Sequence, residues 1–208
     1  MIVERNLDDQ GYIEINALKE ILQKNIFWVD KNYIAINLTI FSLYLTLLDY
    51  VNPKDLGNFT FPEIRNRNLF VSDFFDQEND FNNSIQNVDF ILWNPPWWNN
   101  KDLKHINYIK AKKIELWYKK NEILVSDNQI AQSFILKIKD IADKNTVISL
   151  VLPSKILYNF NAKEFRSFIL NNFKINEILE LSPVRKKLFS WAIAPTIVMT
   201  LENSISDI

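Results

Sequence analysis

A short strand that stops at two consecutive prolines constrains this chain more than any other stretch of its sequence. Residues 90–93 (Phe-Ile-Leu-Trp) are rich in residues that favour β-strands. Asn94-Pro95-Pro96-Trp97, called here the NPPW motif, follows directly, and the prolines end the strand because they cannot donate to a ladder. A residue before proline avoids the α region, so Asn94 and Pro95 are both expected to be extended. The strand therefore delivers Asn94 to the carboxyl edge of a sheet.

The NPPW motif presents two hydrogen-bond acceptors beside an aromatic plane. The acceptors are the Asn94 side-chain oxygen and the Pro95 carbonyl, and the plane is the Trp97 indole. A planar exocyclic amine suits this arrangement, because both its hydrogens can be held while its ring stacks on the aromatic. The same residues are also typical of a plain strand end, in which they serve as turn and packing residues. The motif alone leaves both interpretations open.

Composition limits the class of protein. The chain has 208 residues, 48% of them hydrophobic and 13% aromatic, as in a single globular domain. Its formal net charge is −1, so phosphate contacts would have to come from local basic patches. With no cysteine and only His105, we expect neither disulfides nor a metal site, and the cytoplasm as the compartment. Polar residues interrupt the apolar stretch 33–50, which favours a buried helix over a membrane span.

Strand and helix signals alternate along the sequence. Strands are predicted at 25–30, 68–73, 90–93, 146–152, 174–181 and 195–201, and helices at 16–24, 32–50, 129–142 and 163–172. We expect loops at 1–10, 51–67 and 76–86, and a lysine-rich, partly helical arm at 99–126. The alternation predicts an α/β domain with a doubly wound, mainly parallel sheet covered on both faces.

Three of the predicted strands end in a polar side chain, namely Asp30, Asp73 and Asn94. In doubly wound sheets, ligands bind beyond the carboxyl ends of the strands. An acid at one strand end can hold ribose hydroxyls, and an acid at the next can accept from an adenine amine. Asp30 and Asp73 are equally typical of residues that only cap the following segment. The spacing is compatible with either role.

Taken together and in this order, these segments resemble the N6-adenine DNA methyltransferases of restriction–modification systems. The matching segments are 26–30 (Ile-Phe-Trp-Val-Asp), 42–45, 68–75, the NPPW motif, 151–154 (Val-Leu-Pro-Ser), 165–166 (Phe-Arg) and 182–189. The resemblance covers about residues 18–203. It implies a Rossmann-like methyltransferase fold that uses S-adenosylmethionine.

The resemblance also implies a cofactor site and an amine site. Asp30 would hold the ribose of S-adenosylmethionine, Asp73 would hold its adenine amine, and Phe74 would belong to the same cofactor site. Asn94 and Pro95, with Pro96 behind them, would hold the target N6 amine. The reaction would then depend on positioning more than on a strong base.

Further residues would contact the DNA by the same resemblance. Trp97 and Phe189 would stack on the two faces of an adenine flipped out of the duplex. Three basic residues could touch phosphate, with an ordinary solvated surface as the alternative: Arg185, Lys186 and Lys187.

The sequence departs from the family pattern at its start. Members carry a glycine-rich loop after their first strand, where the backbone approaches the methionine moiety of the cofactor. Here Gly11 and Gly57 stand alone, so we expect residues 1–208 to form an N-terminally incomplete catalytic domain without a separate target-recognition domain. The expected partners are double-stranded DNA and a second chain that supplies the glycine-rich motif and target recognition.

Two other functions remain open at this point. Enzymes that methylate RNA bases or protein glutamine amides share the Asn-Pro-Pro-aromatic strand end. A catalytically inactive module for nucleic-acid binding or assembly could also retain this fold. The lysine–aromatic arm at 99–126 and the segment around Phe189 favour DNA over the other substrates.

Overall fold

The structure, a computed structural model, describes residues 2–76, 81–85, 87–97, 125, 129–188 and 194–204. The chain divides into two compact units, Met1–Ile85 and Gln86–Ile208. Phe189 and, apart from Val125, the expected arm at 99–126 lie outside the described residues. The expectation of a single domain stays a prediction.

The first unit contains helices and one pair of strands. Its elements are α1 (Ile2–Asn6), α2 (Ile15–Asn25), β1 (Trp28–Asp30), α3 (Tyr33–Leu48), a 3-10 helix (Pro53–Asn58), β2 (Leu69–Val71) and α4 (Phe81–Ser84). The strands β1 and β2 are parallel, with Trp28 opposite Leu69. Side-chain caps fix two helix starts, because Glu14 accepts from the Ala17 N–H at 2.9 Å and Asn32 accepts from the Ile34 N–H at 2.9 Å.

The core of the first unit is an apolar cluster, and the buried polar side chain of Asn68 lies next to it in sequence. Leu18, Leu22, Ile36 and Leu69 are among its buried members. Asn68 is only 1% exposed, and its Nδ2 donates to the carbonyls of Leu22 at 3.1 Å and Ile26 at 2.7 Å. Asn68, which directly precedes β2, therefore links that strand to the end of α2.

The second unit is built on a four-stranded sheet. Its elements are β3 (Phe90–Trp93), α5 (Ile130–Ile138), β4 (Val147–Pro153), α6 (Lys155–Tyr158), a 3-10 helix (Phe160–Ala162), α7 (Lys163–Asn172), β5 (Lys174–Glu180), α8 (Arg185–Leu188) and β6 (Thr196–Glu202). The strand order is β3-β4-β6-β5. Apolar residues of β4, β6 and α5 form the core, including Leu150, Leu152, Ile197 and Ile135.

Strand direction places several loops at one edge of this sheet. β3 and β4 are parallel, and β6 lies between β4 and β5 and is antiparallel to both. β3, β4 and β5 therefore end on the side where β6 begins. We call this side the carboxyl edge. The residues that follow these three strands all start from it.

The expected α/β class is confirmed, and the helix predicted at 163–172 is observed at Lys163–Asn172. Parallel pairing holds for β1–β2 and β3–β4, whereas β6 adds two antiparallel pairs. The predicted loop at 1–10 contains α1, because Val3 packs against the apolar cluster of the first unit. The predicted loops at 51–67 and 76–86 likewise contain the 3-10 helix Pro53–Asn58 and α4, where Phe81 is buried.

Asn68→Ala should lower the free energy of unfolding of the first unit by about 1–3 kcal/mol, since two buried carbonyls lose their donor. Equilibrium urea unfolding followed by circular dichroism measures the change. Asn58→Ala is the matched control, because Asn58 is exposed and should change stability by no more than about 0.5 kcal/mol. Equal stabilities for the two variants would show that the Asn68 contacts do not stabilise the unit.

Candidate active site

The NPPW motif leaves the end of β3 at the carboxyl edge. The start of β3 is fixed by β4 and the residue before it, since the Asp89 carbonyl accepts from the Val147 N–H at 2.9 Å and the Val88 carbonyl accepts from Thr146 Oγ1 at 2.6 Å. At the other end Asn94 is exposed, and its side chain makes no hydrogen bond within the part of the chain that the structure describes. β3 is paired with β4 from Phe90 to Trp93, and the Asn94 side chain that follows it has an acceptor oxygen available.

The Trp97 ring is held by the neighbouring strand. Its indole Nε1 donates to the Val151 carbonyl of β4 at 3.2 Å, and the side chain is partly buried. Pro95, between Asn94 and Trp97, is buried, so the peptide that carries the second expected acceptor sits against the sheet. The motif is therefore a fixed turn in which the indole has a defined anchor.

The basic segment after β5 lies at the same carboxyl edge. Ser182 Oγ accepts from the Thr196 N–H at 3.2 Å, and the Ser182 carbonyl accepts from Arg185 Nη1 at 3.0 Å. Arg185 therefore stabilises its own turn, while Lys186 and Lys187 are exposed. Of the three residues proposed to touch phosphate, the two lysines are the more accessible.

Asp30 and Asp73 follow the neighbouring parallel strands of the first unit. Asp30 is opposite Val71, and its backbone carbonyl accepts from the Ser72 N–H at 3.0 Å. Each carboxylate also accepts from the backbone two residues on, Asp30 from Asn32 at 2.7 Å and Asp73 from Phe75 at 3.0 Å. The turn role that the sequence left open is thus present in both. It does not exhaust a carboxylate, which offers about four lone-pair sites.

Phe74 belongs to an aromatic cluster in the first unit. Its ring is stacked on Phe81 at 6.1 Å between centroids and meets Phe75 edge-on at 5.6 Å. The side chain is buried, so packing fully accounts for its position. Its place in a cofactor site stays a prediction.

The structure brings the predicted residues together in two groups. Asp30 and Asp73 lie at one strand end of the first unit, and the NPPW motif and the 182–188 segment lie at the carboxyl edge of the second. Sequence reasoning missed Tyr158 and Phe160, which follow β4 at that same edge. The signal was available in residues 155–163 (Lys-Ile-Leu-Tyr-Asn-Phe-Asn-Ala-Lys), where two aromatics alternate with two amides between flanking lysines.

Two other kinds of site were sought in the described ranges. None of their helices is long and apolar enough to span a membrane. Among these residues there is also no group of three or more His, Cys, Asp or Glu side chains that could hold a metal ion.

Asp30→Ala should lower the free energy of unfolding by about 0.5–1.5 kcal/mol, because the Asn32 N–H loses its acceptor. Asp30→Asn retains an acceptor oxygen and should leave stability near that of the wild type. Urea unfolding of both variants separates the turn role from a charge role. An Asn variant as unstable as the Ala variant would contradict the turn assignment.

Known proteins share this fold. The chain is similar to the solved structure of the ATP-dependent type ISP restriction-modification enzyme LlaBIII bound to DNA, with a TM-score of 0.62, 15% identity and coverage of 96% of this chain and 15% of that one. It is also similar to the type IIG restriction endonuclease BpuSI, with a TM-score of 0.53, 18% identity and coverage of 91% of this chain and 24% of that one. These likenesses confirm the expected Rossmann-like methyltransferase fold.

Sequence comparison identifies the family. The chain is 24% identical over 180 residues to the type II restriction enzyme and methyltransferase RM.Eco57I of Escherichia coli. The aligned region covers 80% of this chain and 18% of that protein. The chain thus spans less than a fifth of the length of this relative. Residues 24–189, the greater part of the chain, match the family model of the Eco57I restriction-modification methylase. The chain therefore belongs to the Eco57I restriction-modification methylase family.

Proposed function

We propose that this chain is the catalytic part of a site-specific DNA adenine-N6 methyltransferase in a restriction–modification or related defence system. The observation that carries the proposal is the exposed Asn94 amide at the end of β3, followed by two prolines and an anchored indole in a member of this family. Its substrate is the exocyclic N6 of an adenine flipped out of double-stranded DNA. Because the proposed substrate is cellular DNA, we propose that the protein acts in the cytoplasm.

Asn94 and Pro95 hold the amine in this proposal. The Asn94 side-chain oxygen and the Pro95 carbonyl accept the two N6 hydrogens, which favours a pyramidal nitrogen with its lone pair directed away from them. S-adenosylmethionine, when bound, would supply the methyl group from its sulfonium: the sulfur–methyl bond breaks as the N6–methyl bond forms, a neutral thioether leaves, and one amine proton is released to solvent. The protein's own contribution is orientation and preorganised acceptors, which are sufficient for a large rate effect without a general base.

Trp97 and Phe189 are proposed to receive the flipped base. An adenine leaves the duplex at the cost of its stacking and pairing, and aromatic faces recover part of that cost. The hydrogen bond from the Trp97 indole to Val151 limits the freedom of the ring and so favours a preformed face. Pro96 restricts the backbone between Asn94 and Trp97, because its ring fixes φ.

The cofactor is proposed to bind at Asp30, Asp73 and Phe74. Two carboxylates at adjacent strand ends fit the hydroxyls and the amine of a nucleoside, since each can accept further hydrogen bonds beside its turn bond. The methionine end needs a close backbone approach that glycine permits, and neither Gly11 nor Gly57 follows a described strand. Asp30 and Asp73 are therefore proposed to hold the nucleoside end of the cofactor, and residues outside the described part of the chain are proposed to hold its methionine end.

A second chain is proposed to supply the glycine-rich segment and target recognition, and the open edge of β3 supports this. In the part of the chain that the structure describes, β3 pairs with β4 alone. A parallel strand directs the peptide groups of alternate residues to its partner, and Asp89 faces Val147, so Phe90 and Leu92 direct theirs away from β4. These two side chains are 65% and 78% exposed. An open edge of this kind can accept a further strand.

Asn94→Ala should reduce transfer of labelled methyl groups to duplex DNA by roughly 10²-fold or more, as for the loss of one preorganised acceptor. Trp97→Ala should weaken capture of the flipped base, and a mismatched target that flips easily should partly restore it. The assay uses the chain supplied with a glycine-rich strand–loop–helix segment in trans. Fluorescence of 2-aminopurine at the target position reports flipping separately from transfer.

Asn171→Ala is the matched control for both variants, because Asn171 is exposed on α7 and should leave transfer unchanged. Transfer near the wild-type level in Asn94→Ala, combined with its loss in Trp97→Ala on every substrate, would contradict the assigned roles. Asn94 would then be a strand-end residue only.

A further inference from the structure

Two aromatic side chains protrude from the β4 loop, defined here as residues 154–162. Tyr158 is 73% exposed, and Phe160, at 90%, is the most exposed large hydrophobic side chain in the described part of the chain. Aromatic rings are normally buried in large part, since they carry the largest apolar surface of any side chain. Two neighbouring exceptions on one loop indicate a binding surface.

The β4 loop holds these rings outward on a fixed backbone. Ile156 and Ala162 are fully buried, and they anchor the loop on either side of the two aromatics. The Asn159 N–H donates to the Lys155 carbonyl at 2.8 Å, and the Asn159 carbonyl accepts from Arg166 Nη1 at 2.5 Å. Exposure of the rings is therefore a property of a well-anchored loop.

The β4 loop and the NPPW motif leave neighbouring parallel strands on the same side. Trp93, the last residue of β3, is opposite Leu150 of β4, and parallel strands lie about 4.8 Å apart. The Trp97 indole also bonds to Val151 of β4. The major groove of DNA alone is about 12 Å wide, more than twice the strand spacing, so a duplex with its target base at Asn94 extends over the end of β4 as well.

The carboxyl edge from which the β4 loop starts is rich in basic residues. Residues 154–166 and 180–188 at the carboxyl edge carry six cations against two carboxylates, in a chain whose net charge is −1. The cations are Lys155, Lys163, Arg166, Arg185, Lys186 and Lys187. Such a patch complements a phosphate backbone. Cations interleaved with exposed aromatics favour a nucleic acid over an apolar protein partner.

We propose that Tyr158 and Phe160 form a second aromatic contact to DNA, with bases of the substrate other than the flipped adenine. The proposal rests on the proposed function, because the duplex is oriented by its target base at Asn94. Flipping leaves neighbouring bases with exposed π-faces and one base without its pairing partner. Aromatic stacking suits such bases without regard to their identity, while Lys186 and Lys187 hold the phosphates.

The test measures binding of the 208-residue chain to a fluorescein-labelled duplex that contains one mismatched adenine. Fluorescence anisotropy at several salt concentrations reports the affinity. The Tyr158→Ala/Phe160→Ala double variant should bind roughly 10-fold or more weakly, with an unchanged salt dependence. Lys186→Gln/Lys187→Gln should instead reduce the slope of log affinity against log salt by about two. Tyr33→Ala, a similarly exposed aromatic on α3, should bind like the wild type.

Wild-type affinity in the aromatic double variant would overturn the proposal, as would a wild-type chain that binds no duplex. Loss of binding to a protein partner, with DNA affinity unchanged, would overturn it in favour of a protein-docking surface. Because Tyr158 and Phe160 are exposed, matching urea transitions should show that the variant is folded. Failure of the proposed function is read separately: aromatic-dependent DNA binding without Asn94-dependent methyl transfer refutes the activity and retains this contact.

Discussion

The parallel pairing of β3 with β4, stopped by two prolines, is the constraint on which the candidate site depends. The ladder fixes where β3 lies, and Pro95 and Pro96 fix where it ends. Asn94 is consequently positioned by the backbone, with no hydrogen bond from its side chain to the described residues. An amide placed in this way keeps its acceptor for a substrate.

The carboxyl edge gathers groups that are distant in sequence. β4 contributes the carbonyl that anchors Trp97 and the loop with Tyr158 and Phe160, and β5 leads into the basic turn at Ser182. β6 returns beside them, and its first N–H donates to Ser182. The sheet thus supports the loops that carry the candidate groups, the usual arrangement by which a common fold acquires a particular substrate.

Local pattern was sufficient for the main strands and longer helices, and insufficient for the short helices in the predicted loops and for the features that depend on distant contacts. The helix predicted at 163–172 matches α7, because helical patterning is a local signal. The antiparallel direction of β6 depends on pairing with β4 and β5, which no periodicity records. The exposure of Phe160 likewise depends on what packs around the β4 loop. The turn bonds of Asp30 and Asp73 were one of two interpretations that the sequence left open, since an acid after a strand suits a cap and a ligand equally.

The identity of the methylated group tests the central claim most directly. Duplex DNA is incubated with S-adenosylmethionine, the chain and a glycine-rich segment in trans, then digested to nucleosides and analysed by mass spectrometry. The account predicts that the wild-type chain, with Asn94 intact, forms the deoxynucleoside of N6-methyladenine. Methyl groups on the N4 of cytosine, or on RNA or protein glutamine with no methylated adenine in the DNA, would contradict it.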